Sequence, residues 1–143
     1  CSAPTAFFTL ETIARLYQTL SAGKYPELER AYNAMASYPY NVAGKGHFDT
    51  KFIEALKGKG VTKGGGESVR GIALRERDGK NIGIALKVLD GNARAMPIAT
   101  LKLLEHLDLL TKKELARLNE FRKRDRKNCS DKSIGQIEVY IEN

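Results

Sequence analysis

The sequence predicts an α+β fold, with amphipathic helices packed on a small antiparallel sheet. Three observations carry this expectation. Several separate stretches repeat apolar residues at i, i+3, i+4 and i+7, the period of a helix with one buried face. The pair Asp78-Gly79, a two-residue hairpin turn signal, stands between two alternating runs. A last alternation, Ile137, Val139 and Ile141, is expected to join that hairpin as the third antiparallel strand.

The opening residues 1–5, CSAPT, are expected to be extended or turning, because Pro4 disfavours helix at Ala3. A helix over residues 9–20 follows, with Leu10, Ile13, Ala14 and Tyr17 as its stripe. Pro26 suits the first position of a second helix, and Glu27 and Glu29 favour its positive end. Leu28, Ala31, Tyr32 and Met35 form its stripe, Pro39 ends it, and residues 41–47 read as loop. Asp49 is expected to cap a short third helix that buries Phe52, Ile53 and Leu56 and stops at Gly58.

A glycine-dense loop carrying Lys63 leads into the hairpin. On its second strand Ile82, Ile84, Leu86 and Val88 share one face. Gly83 and Ala85 on the other face predict close approach of another element. Pro97 opens a helix with Ile98, Leu101, Leu104 and Leu107 inward. Thr111 and Glu114 have the spacing of a capping box for the next, with Leu115, Leu118 and Phe121 inward.

The 143 residues suffice for one domain with its own core. No apolar run approaches the roughly 18 residues of a membrane span, and no membrane partner is expected. Net charge is +7, from 24 Lys and Arg against 17 Asp and Glu. Much of the excess lies in residues 122–127, RKRDRK. That run reads as a solvated helix end whose cations suit the negative pole of the helix. No aromatic residues interleave with it, so nucleic acid is not an expected partner. Two cysteines do not make a disulfide scaffold, and the expectation is free thiols in a reducing, cytoplasmic compartment.

Few residues suggest chemistry. The amine of Lys63 could relay a proton, or its cation could hold a carboxylate, while the glycines beside it permit close approach. By spacing alone it is one solvated lysine among Lys57, Lys59 and Lys63. Gly64-Gly65-Gly66 lacks the lysine spacing of a phosphate-binding loop. Ser21-Ala22-Gly23-Lys24 matches S-x-x-K in letters, but between two helices rather than at a helix start, and is read as a decoy. A hairpin register pairing i with about 157 − i would set Asp90 opposite Glu67 as a brace or a polar site. Cys1 could be an N-terminal nucleophile or a metal ligand, and His47 and His106 stand alone.

Four segments in order bear a resemblance: CSAPT at the start, GKGHFDT, KGGGES and GIALKVLDGNARA, with a compatible tail IGQIEV. Together they resemble the Rhizobium-type L-asparaginases of the asparaginase II family, over nearly the whole chain. The resemblance implies a fold like that of the serine β-lactamases and glutaminases, and hydrolysis of L-asparagine to L-aspartate and ammonia. It implies a catalytic role for Lys63, where that superfamily has its K-[ST]-G strand motif, with Gly64, Gly65 and Glu67 as substrate-binding residues. It also implies that Cys1 belongs to a zinc site incomplete in this chain. The family more often has alanine and glycine where this chain has Gly66 and Ser68.

The family's nucleophilic serine, its second active-site serine and its other metal ligands precede the cysteine segment. Residues 1–143 are therefore expected to be a single domain, the C-terminal half of a longer amidohydrolase. Such a chain carries one wall of the site for a small amide substrate, is inactive alone, and exposes apolar surface that favours a homo-oligomer. The competing readings are an N-terminal-nucleophile hydrolase using Cys1, and a non-catalytic basic binding module.

Overall fold

In the computed structural model of the chain, residues 4–77, 79–122 and 124–142 are described. Four helices come first: α1 Leu10–Ala22, α2 Pro26–Ser37, α3 Pro39–Ala43 and α4 Phe48–Leu56. Thr9 caps α1, its hydroxyl accepting from the Thr12 amide at 3.2 Å, and Gly23 ends it in the left-handed region. Pro26 stands at the start of α2, as its fixed φ predicts. Part of the expected loop 41–47 belongs instead to α3, opened by Pro39.

Three strands follow: β1 Gly60–Gly65, β2 Val69–Arg77 and β3 Lys80–Lys87. They form one antiparallel sheet in the order β1-β2-β3. The hairpin turn lies where Asp78-Gly79 predicts it; Gly79 has φ 71°, and Asp78 lies outside the described residues. Helices α5 Met96–His106 and α6 Lys112–Arg117 come next, then β4 Arg124–Lys127 and β5 Ser133–Ile137 as a separate two-stranded ribbon. The α+β class is thus observed.

Helices cover both faces of the sheet. Ile72 and Leu74 of β2 join Phe48, Phe52, Leu56, Leu101, Leu104 and Leu118 in one cluster, with Ile82, Ile84 and Leu86 against it. On the opposite face Val61 and Ala73 join Tyr32 and Ile53, with Tyr17 and Leu20 packed alongside. A sheet buried on both sides needs apolar residues at successive positions, and Ile72, Ala73 and Leu74 are all fully buried. Here α1 makes the close approach that Gly83 predicts: a Cβ at Gly83 would land on the backbone of Ala14 and Gln18. Burial raises the Tyr32 phenol pKa to about 12 despite the Arg75 guanidinium over its ring, and its hydroxyl donates to the Gly58 carbonyl at 3.0 Å.

Four expectations are corrected. The glycine-dense segment around Lys63 is a strand, not a loop. It enters β2 through a three-residue turn, Gly66–Ser68, so little loop entropy opposes the pairing. The C-terminal strand does not extend the hairpin; β5 pairs with β4. That pairing also makes residues 124–127 of the basic run a strand rather than a helix end. The side chain of Asn128 accepts from the Ser130 and Lys132 amides, each at 3.0 Å, and turns β4 back toward β5. Finally, His47 occupies the cap position of α4, and Asp49, two residues on, points its carboxylate into the protein.

Candidate functional site

Strand β1 brings Lys63 to the sheet edge. Its register sets Lys63 opposite Gly71 and Gly64 opposite Arg70. Each residue of an antiparallel edge strand turns its N–H and C=O alternately toward its partner strand and away from it. The outward N–H of Gly64 donates to Asp49 Oδ2 at 2.8 Å, and the Gly64 carbonyl accepts from Lys63 Nζ at 2.8 Å.

Asp49 comes from the first turn of α4 and is paired with Arg70 of β2, both side chains being 7% exposed. Arg70 Nη1 also donates to Thr62 Oγ1 at 3.1 Å, and the guanidinium lies over the Phe48 ring, 4.4 Å from its centroid. Thr62 donates onward to the Gly71 carbonyl at 2.9 Å. From the other side, the Tyr17 ring rests on Gly71, where any Cβ would enter the ring. Burial, and next the Asp49 charge, push the Tyr17 phenol pKa up against the opposing pull of Arg70.

The turn joining β1 to β2 is unusual. Glu67 and Ser68 both have left-handed backbones, φ 52° and 55°, where glycine or asparagine is the ordinary choice. Two contacts from the end of β3 hold them there. Lys87 Nζ donates to the Glu67 carbonyl at 2.8 Å, and the Val88 amide donates to the Ser68 carbonyl at 3.0 Å. Among the described residues the Ser68 hydroxyl is buried without a hydrogen-bond partner, and the exposed Glu67 carboxylate has no ion-pair partner.

Glu67, Ser68, Asp49 and Arg70 line a cleft of about 720 Å³ together with His47, Phe48, Met96 and Pro97. Of the five residues expected at a site, Lys63, Gly64, Gly65 and Glu67 line this one cleft, and Cys1 lies outside the described residues. The register expected to oppose Glu67 and Asp90 is corrected. An irregularity after Leu74 shifts the ladder by one residue, and its last pair is Val69 with Lys87. Asp90 lies beyond that pair and forms an ion pair with Arg94 at 2.6 Å.

Ser21 donates to the Gln18 carbonyl at 2.7 Å, and Lys24 lies over the Tyr25 ring. Among the described residues no group of three or more His, Cys, Asp or Glu could hold a metal ion. Cys129 is a free, exposed thiol in the β4–β5 turn. The described donors therefore do not assemble a zinc site.

Sequence reasoning missed the buried Asp49–Arg70 pair. The only signal for it was the aspartate of GKGHFDT, which a capping role already explained. A second cleft, about 690 Å³, lies between α5 and the chain's end, where Glu105 and Arg122 neutralise one another.

No helix among the described residues is long and apolar enough to cross a membrane. No curated protein matches the chain. A family model described as L-asparaginase II matches residues 1–139.

Proposed function

The chain thus belongs to the L-asparaginase II family, and we propose that it forms one wall of an amidohydrolase site that converts L-asparagine and water to L-aspartate and ammonia. One observation carries the reading: the Lys63 ammonium and the Glu67 carboxylate, which has no ion-pair partner among the described residues, line the same cleft beside the backbone of Gly64 and Gly65. A free amino acid presents a carboxylate and an ammonium, so this pair of opposite charges suits it better than a neutral amide.

The reaction is acyl transfer. A serine oxygen adds to the side-chain amide carbon, the Lys63 ammonium gives a proton to the departing ammonia, and the serine's proton restores the ammonium. Water then cleaves the ester, giving aspartate and restoring the hydroxyl. Backbone N–H groups hold the oxyanion that forms in each half. Among the described residues no serine is hydrogen-bonded to Lys63, whose ammonium rests on the Gly64 carbonyl. In this reading the nucleophile comes from a segment outside residues 1–143, in a cytoplasmic protein.

Ammonia release from L-asparagine is the test, with L-glutamine as the competitor. The longer protein is expected to be active and residues 1–143 alone inactive. Lys63→Ala is expected to lower kcat/KM by about a hundredfold or more. Turnover by Lys63→Ala equal to the parent would remove Lys63 from the mechanism. Ammonia from neither amide would remove the reading.

A further inference from the structure

We infer that Asp49 and Arg70 are positioning residues for Lys63: a buried ion pair that clamps the exposed edge of β1 so that the lysine faces the cleft in one geometry. The inference rests on the proposed role of Lys63. Strand β1 has three glycines in six residues, the most conformationally free composition available to a strand. An edge strand of this composition, paired on one side only, is free to shift at its tip.

At Gly64 both outward backbone groups are occupied by side chains, the N–H by Asp49 and the carbonyl by Lys63 itself. Asp49 therefore fixes the peptide on which the lysine ammonium rests. Arg70 completes the clamp. It sits opposite Gly64 in the ladder, pairs with Asp49, lies over the Phe48 ring and is bonded to Thr62. The planar fork and the stacking are properties of arginine that lysine does not reproduce. Because Arg70 neutralises Asp49, the carboxylate fixes the strand without pairing with the lysine one residue from Gly64.

The experiment compares Asp49→Asn, Arg70→Lys and Lys63→Ala in the full-length protein, at temperatures where each is folded by circular dichroism. Misplacing a reacting group by an ångström lowers turnover by up to a hundredfold. Asp49→Asn and Arg70→Lys are therefore each expected to lower kcat by about tenfold or more, with KM within about twofold. In ¹⁵N-labelled residues 1–143, the Gly64 amide proton is expected to move upfield and exchange at least about tenfold faster in Asp49→Asn. If Asp49→Asn does not fold, Arg70→Lys, which keeps the buried positive charge, carries the test.

Parent kcat in a folded variant, with only the unfolding midpoint lowered, would make the pair a structural brace and overturn the inference. An unchanged Gly64 amide in Asp49→Asn would do the same. Loss of activity in Lys63→Ala alongside parent kcat in both pair variants would sink the clamp but not the proposed function. Full activity in Lys63→Ala would sink the role assigned to the lysine.

Discussion

The strained turn at the cleft rim is where single residues matter most. Glu67 and Ser68 occupy consecutive left-handed positions without being glycine, at a cost of roughly 1 kcal/mol or more apiece. Ser68 adds a buried hydroxyl with no partner among the described residues. Replacing it with glycine relieves the backbone and removes the unsatisfied group. The flexibility that glycine lends the unfolded chain offsets part of that gain. Ser68→Gly is expected to stabilise the fold by about 1 kcal/mol, read as a higher urea midpoint with unchanged m. A lower midpoint would show that Ser68 is not strained. The resemblance pointed the same way, since the family more often has glycine at this position.

Among the elements, the seating of α1 against β3 depends on residues that lack side chains. Gly83 leaves no room for a methyl group, because the obstacle is the backbone of Ala14 and Gln18 rather than a movable side-chain tip. Gly83→Ala is therefore expected to lift α1 from the sheet and destabilise the protein by about 3 kcal/mol, the upper end of overpacking costs. Gly46→Ala is the wrong control despite its open surroundings, because Gly46 has φ 77°. Gly66 has open space and no positive φ, so Gly66→Ala is expected to leave stability within about 0.5 kcal/mol of the parent. Thermal unfolding of the two variants decides the matter. Equal midpoints would mean that α1 is not held where the glycine allows it.

Across the molecule, a few ion pairs tie distant segments together. Arg75 at the end of β2 donates to the Ser21 carbonyl and pairs with Glu29, joining the sheet to α1 and α2. Arg77 pairs at 2.7 Å with Glu114 of α6, each side chain 11% exposed, and Glu114 also closes the capping box with Thr111. Burial raises the Glu114 pKa, but the hydrogen bonds from Arg77 and Thr111 outweigh it and hold the carboxyl below its ordinary range. A carboxyl depressed by folding contributes stability above its unfolded pKa and loses it as pH falls through the folded value. Acid unfolding is thus expected to gain a limb below about pH 4.5 that Glu114→Gln flattens. The same variant leaves the half-buried Arg77 without its counter-charge, and is expected to cost about 2 kcal/mol at neutral pH. A parent-like acid limb in Glu114→Gln would assign that limb to other carboxylates.

Much of this was legible in the sequence because its causes are local. Pro26, Pro97, the Thr111–Glu114 box and the Asp78-Gly79 turn act within a few residues of themselves. They located three helix starts and a hairpin. The family, too, could be read from short segments in their order along the chain. The tertiary structure decided what depends on partners in another element. Lys63 lies in a segment with the composition of a loop, and only pairing with β2 makes it a strand. Asp49 looked like a cap, because a pattern read along one helix does not show an arginine 21 residues later. The basic run became a strand once Asn128 turned the chain back on itself. In each case the deciding interaction joins two elements, β1 to β2, α4 to β2 and β4 to β5, and a reading of any one element alone does not contain it.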